Sequence, residues 1–97
     1  MEKIPVVYIM ASRYKGTLYV GVTSNLMGRV YQHKNGLAEG FTKKYDCKKL
    51  VYYEVCSTME EAITREKQMK VKGRAKKIEI VTKFNPGWKD LYENMRL

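Results

Sequence analysis

The sequence predicts an α+β domain with element order β-β-α-β-α-α, and three observations lead there. Three short stretches rich in β-branched and aromatic residues, 5–11, 17–22 and 49–56, read as strands, the first two separated only by a turn-like segment. Two later stretches carry helix start and stop signals, Asn25 with Gly36 and Ser57 with Gly73. A chain of 97 residues with 44% hydrophobic content is enough for one small core, so residues 1–97 read as a single domain.

The first two strands form a hairpin around Ser12-Arg13-Tyr14-Lys15-Gly16. With its turn centred near Arg13 and Tyr14, Tyr8 and Tyr19 fall opposite or nearly opposite each other, and the two phenols share a face. Asn25 is a suitable N-cap for a helix on which Arg29 and His33, at i and i+4, lie one turn apart on the same face; Gly36 stops it. Residues 37–48 are a Gly- and Lys-bearing loop, and 49–56 the third strand. Ser57 with Glu60 resembles a capping box that opens a helix running to about Lys72. A basic helix over 74–84 follows, broken by Asn85-Pro86-Gly87-Trp88 before a short C-terminal segment.

Nineteen Lys and Arg against ten Asp and Glu give a formal net charge of +9, which favours a polyanionic partner, nucleic acid first among them. An anionic membrane surface could use the same charge, but no apolar run is long enough to span a bilayer and no signal peptide is present. The chain therefore reads as cytoplasmic. Cys47 and Cys56 have neither a C-x-x-C spacing nor the density of a disulfide scaffold. Their separation from His33 matches no zinc pattern, so a structural zinc is set aside in favour of a buried, reduced thiol at Cys56 and an inert loop thiol at Cys47.

The helix after Ser57 contains a local conflict. Met59, Ala62 and Ile63 define a core-facing stripe, with Met69 near its edge, and its continuation passes through Glu66. A carboxylate on the core side is costly to desolvate unless a cation or hydrogen-bond donors meet it. Two readings stand side by side: a salt bridge to a neighbouring Arg or Lys, or a ligand for a hard cation such as Mg²⁺ at the rim of a cleft. Taken singly, the other polar candidates have ordinary explanations. Strand tyrosines usually pack, an Arg and a His one turn apart usually form a solvated face, and Asn85 before Pro86 is usually a turn former.

Their joint order is more specific. Val7-Tyr8-Ile9, then Tyr19-Val20-Gly21, Arg29, His33, Glu66 and Asn85 resemble the successive motifs of the GIY-YIG nuclease superfamily across nearly the whole chain. The chain looks most like its small stand-alone members related to the N-terminal nuclease domain of excinuclease C, including the ending Asn85-Pro86-x-Trp88-x-Asp90-Leu91. The resemblance implies a three-stranded antiparallel sheet flanked by helices and metal-dependent phosphodiester hydrolysis. It implies that Tyr19 is the general base or positions the attacking water, and that Tyr8 orients the nucleophile or the scissile phosphate. Glu66 would hold a single Mg²⁺ or Mn²⁺, and Arg29 would stabilise charge on the phosphoryl oxygens. His33, standing where some members have tyrosine, would assist proton transfer or phosphate contact, and Asn85 would support the site. A free tyrosine titrates near 10, so a basic Tyr19 needs positive charge nearby, and His33 is the competing base.

Val22 departs from the pattern, since many members carry lysine directly after the glycine of the second motif; Lys15, Lys43 or Lys44 are the expected substitutes. Phosphate contacts should come from Lys15, Lys43, Lys44, Lys48, Lys70, Lys72 and Arg74, which would read backbone rather than base sequence. The chain then recognises nucleic-acid shape, with DNA in repair or recombination as the leading substrate, or borrows specificity from a protein partner. The alternative is a nucleic-acid-binding module of the same fold with weak or no catalysis. A basic protein-interaction or membrane-surface module would explain the charge but not Glu66.

Overall fold

The computed structural model describes residues 3–37 and 40–95. Strands β1 (Val6–Ala11), β2 (Leu18–Thr23) and β3 (Lys49–Val55) form one antiparallel sheet in the order β2-β1-β3. All six residues of β1 are buried, which requires cover on both faces of the sheet and accounts for its unbroken apolar run. That cover comes from four helical segments, α1 (Leu26–Lys34), α2 (Phe41–Lys44), α3 (Met59–Val71) and α4 (Arg74–Phe84), with a 3₁₀ turn at Tyr92–Asn94. The α+β class and the β-β-α-β-α-α order stand, with α2 as an added turn inside the expected loop. Among the described residues, no helix is long and apolar enough to cross a membrane.

The hairpin turn lies one residue later than expected. Gly16 N–H donates to the Arg13 carbonyl at 2.9 Å and Ser12 N–H to Thr17 at 3.0 Å, which centres the turn on Tyr14 and Lys15. Lys15 accordingly takes φ 51°. Moving a turn by one residue moves the pairing by two, so Tyr8 faces Gly21 and Tyr19 faces Met10. A shift of two keeps every side chain on its face, and the tyrosines remain together. On the other side of β1 the register slips between Ile9, opposite Tyr52, and Met10, opposite Leu50. Val51 is the extra residue, and this bulge puts Val51 and Tyr52 into the same apolar cluster.

Helix α1 covers one face, joining Leu26 and Val30 to Val6, Tyr8, Met10 and Leu50. Asn25 caps it as expected, accepting from Gly28 N–H at 3.1 Å. It ends with Gly36 at φ 66°, where Gly36 N–H reaches the His33 carbonyl and Leu37 N–H the Gln32 carbonyl, a left-handed close that favours glycine. Helices α3 and α4 cover the opposite face with Ala62, Met69, Val81 and the following Trp88, packed on Val7, Ile9, Val20 and Val51.

Three expectations are corrected. The cap of α3 is Thr58, whose hydroxyl accepts from Glu61 N–H at 3.1 Å; Ser57 precedes it, so the capping pair lies one residue further on. Helix α3 ends where expected, with Lys72 as its cap, and the following Gly73, at φ −65°, opens α4. Ala62 and Met69 form the buried stripe of α3, while Met59 and Ile63 are exposed, because the small Ala62 seats the helix on the sheet and rotates its neighbours outward. The cysteines exchange roles: Cys47 is fully buried and Cys56 half-buried, and both are free.

Candidate active site

Tyr8 and Tyr19 project from adjacent strands on the α1 face, their ring centroids 6.3 Å apart. Gly21, directly opposite Tyr8, makes this possible. A Cβ there would come within 2.5 Å of the Tyr8 hydroxyl, so the phenol lies across the gap that the missing side chain leaves. From α1, His33 closes a triangle of rings, 5.7 Å from Tyr8 and 5.5 Å from Tyr19. Its Nε2 is 2.9 Å from the Tyr8 hydroxyl and its Nδ1 2.9 Å from the Thr42 hydroxyl on α2. Both ring nitrogens are thus engaged inside the protein, with His33 and Thr42 each only 2% exposed.

Electrostatics fix the protonation states. Burial, and then the charge of Arg29, lower the His33 pKa to about 4, so the ring is neutral near pH 7. Burial pushes the Tyr8 phenol up to about 12, against the lowering interaction of the Arg29 guanidinium. The phenols of Tyr8 and then Tyr19 in turn raise Arg29. A neutral Tyr8 that accepts from Arg29 has its own proton free for His33 Nε2, which leaves Nδ1–H to donate to Thr42. Arg29 itself is half-buried, and its Nη1 also donates to Gln32 at 2.9 Å.

Glu66 stands at the rim. Its side chain is 15% exposed and forms a 3.0 Å ion pair with Lys70 one turn on, and its charge is felt at Tyr8. The salt-bridge reading is therefore realised, with a partner that is itself half exposed to solvent. A groove of about 240 Å³ runs beside it along β2, lined by Leu18, Tyr19, Val20, Phe41, Lys70 and Lys77. The donor set suits a hard cation: one carboxylate oxygen donor at a solvent-accessible rim, with phenol oxygens nearby. Among the described residues, no group of three His, Cys, Asp or Glu gathers to hold a metal ion.

Of the residues singled out in the sequence, Tyr8, Tyr19, Arg29, His33 and Glu66 come together. Asn85 is committed elsewhere. It caps α4, its amide donates to the carbonyls of Val51 at 3.2 Å and Lys89 at 2.8 Å, and its carbonyl accepts from Lys89 N–H. These bonds tie the α4 end to the bulge in β3 and to the segment that follows. The cations also divide. Lys70 reaches the groove, as does Lys77, and Lys43 and Lys44 lie on α2 beside Phe41. Lys48 pairs with Asp46 at 3.1 Å. Lys15 lies over the Tyr14 ring in the hairpin turn, where Arg74 bonds its carbonyl, and Lys72 caps α3. Val22 lies among the apolar residues of the opposite face, so its side chain does not join the tyrosines.

Sequence reasoning missed Thr42 and Phe41, and placed Gly21 in a motif without its close approach to Tyr8. An isolated glycine inside a strand is a signal for close approach and could have found that contact. Thr42 and Phe41 sit on a four-residue helical turn too short to have a periodicity.

Residues 4–79 match the GIY-YIG catalytic domain family. The chain is 33% identical over 76 residues to a UPF0213 protein of Staphylococcus saprophyticus, covering 78% of this chain and 92% of that one. It is 34% identical to a UPF0213 protein of Clostridium perfringens, covering 78% and 81%, and 36% identical to one of Pediococcus pentosaceus, covering 69% and 70%. No solved structure matches the chain. A paired-tyrosine sheet with an arginine–histidine helix across it and a glutamate at the rim, together with these matches, makes the chain a member of the GIY-YIG catalytic domain family, whose members are typically nucleases.

Proposed function

We propose that this protein is a divalent-metal-dependent endonuclease that hydrolyses DNA phosphodiester bonds, selecting structure over base sequence, as repair or recombination requires. The observation that carries this reading is the rim carboxylate of Glu66 beside the Tyr8, Tyr19 and Arg29 cluster, in a chain of net charge +9. A protein that only binds phosphate gains nothing from a carboxylate in such a place.

Each residue has a part in the reaction. Tyr19, half-buried and lining the groove with the Arg29 guanidinium near it, holds the attacking water and takes its proton. Arg29 stabilises the charge that develops on the phosphoryl oxygens. Tyr8 stays protonated and holds Arg29 in place; it is 1% exposed and its hydroxyl already meets His33. His33 is a positioning residue and not the base, because it is buried, neutral and engaged at both nitrogens. Lys70 and Lys77 hold the substrate backbone, Lys70 exchanging Glu66 for phosphate. When bound at Glu66, Mg²⁺ or Mn²⁺ supplies charge that polarises the scissile phosphate.

The second reading, a binding module of the same fold, is favoured by Val22 in place of lysine. One experiment separates the two. Purified protein is incubated with end-labelled single-stranded, duplex, flap and branched DNA, and matching RNA, with Mg²⁺, Mn²⁺ or chelator. Cleavage that needs metal and vanishes in Glu66→Ala is the expected result. Salt-sensitive binding without cleavage of any substrate would replace the nuclease by the binding module.

A further inference from the structure

Beside the reacting groups lies an aromatic surface that none of the roles above uses. The Phe41 ring lies well offset from Tyr19, with centroids 6.1 Å apart and an interplanar angle of 29°, and Tyr45 is tilted against it at 42° and 4.6 Å, so neither neighbour is stacked face to face on it. Both outer rings are open to solvent, Phe41 at 43% exposure and Tyr45 at 44%. They are held firmly, because Thr42, the next residue, is buried and bonded to His33, which is bonded in turn to Tyr8. Phe41 also walls the groove that contains Lys70 and Lys77, and the exposed Lys43 and Lys44 share its turn.

Each part of this arrangement bears on the occupant. Lysines ask for phosphate, and duplex phosphates could be met by lysines alone. An exposed ring anchored next to them does something phosphate contact does not: it offers a face on which a flat, apolar surface can stack. In a duplex both faces of every interior base are already covered by its neighbours, whereas an unpaired base has a face to give. Stacking is also indifferent to base identity, which agrees with a site whose polar contacts all point to the backbone.

We propose that Phe41, backed by Tyr45, is a stacking platform for an unpaired nucleobase next to the phosphate held at Tyr19 and Arg29, with Lys70 and Lys77 on that nucleotide's backbone. The preferred substrate is then a single strand, flap or frayed end, cut without regard to sequence. This rests on the nuclease reading and narrows its substrate.

The test is equilibrium binding in chelator, so that no cleavage intervenes. Fluorescence anisotropy is read with a labelled oligothymidylate, the same strand with abasic residues, and a blunt hairpin duplex. The full chain should bind the base-bearing strand roughly tenfold more tightly than the other two probes. Phe41→Ala should reduce that strand to the abasic level while leaving abasic binding unchanged, and Phe41→Trp should restore the preference. Equal binding of abasic and base-bearing strands, or a Phe41→Ala protein that keeps the preference, would overturn the platform. Should Phe41→Ala fail to fold, Phe41→Trp decides: its fluorescence, beyond that of the buried Trp88, is quenched by the base-bearing strand alone if the platform is real, and equally by both strands if it is not. Base-dependent binding without cleavage would leave the platform and remove the nuclease. Cleavage with base-independent binding would do the reverse.

Discussion

On one side of β1, Val7, Ile9 and Ala11 meet Val20, Val51, Met69, Val81 and Trp88; on the other, Tyr8 and Met10 meet Val30, Leu50 and the buried His33. Alternate residues of a single strand, equally buried, have been put to different uses. The first face is held by apolar area and close packing, and the buried polar side chain of Asn85 is satisfied by main chain. The second holds a wire of hydrogen bonds, Tyr8 to His33 to Thr42, that ends beside the half-exposed Tyr19 and Arg29. Packing tolerates similar shapes, whereas a buried polar wire works only when every partner is present. Damage to the first face should therefore register as lost stability, and damage to the second mainly as lost activity.

The largest effect on stability is expected from the apolar face. Trp88→Ala removes a fully buried ring and its 3.0 Å bond to Thr82, and should cost about 3–5 kcal/mol in denaturant unfolding. Any protein that still folds should cleave at the normal rate, and a rate loss beyond the unfolded fraction would break the comparison.

Acid comes next and acts through the polar face. The unfolded chain accepts a proton on His33 below about pH 6.5, which the folded protein refuses until about pH 4. The contribution is complete above the first value and lost as pH falls toward the second, amounting to about 3 kcal/mol by linkage. Unfolding followed against pH should reveal this slope in the natural chain and lose it in His33→Asn.

Gly21→Ala tests the join between the two faces. Its Cβ would meet the Tyr8 ring and hydroxyl at 2.5 Å, so the phenol must move, at about 1–3 kcal/mol of overpacking and a loss of cleavage out of proportion to stability. Thr42→Val should have the smallest effect, leaving His33 Nδ1 unpaired for about 1 kcal/mol and a severalfold loss of rate, read by thermal unfolding and by cleavage under the same buffer.

Much of this is legible in the sequence, and the gaps have physical causes. The strands, α1 and α4, and the shared face of Tyr8 and Tyr19 follow from period, caps and turn residues, which are local signals. The α3 stripe is misread from sequence because Met59 and Ile63 look like core by composition, while the small Ala62 decides how the helix sits. Cys47 lies between Asp46 and Lys48, so nothing local announces its complete burial. The turn at Phe41–Lys44 carries Thr42, which accepts a hydrogen bond from His33 nine positions earlier, a tertiary contact with no local trace. At Glu66 the sequence leaves two readings open, and the structure shows the ion pair to Lys70 with the carboxylate still reachable from solvent at the rim.

The most direct test is the single-turnover cleavage rate of Tyr19→Phe, measured in Mg²⁺ on the best substrate beside its melting temperature. The expected rate is at least about a hundredfold lower, the range of a lost general base, with the melting temperature nearly unchanged. A folded Tyr19→Phe protein that cleaves at the full rate would contradict it and remove Tyr19 as the base.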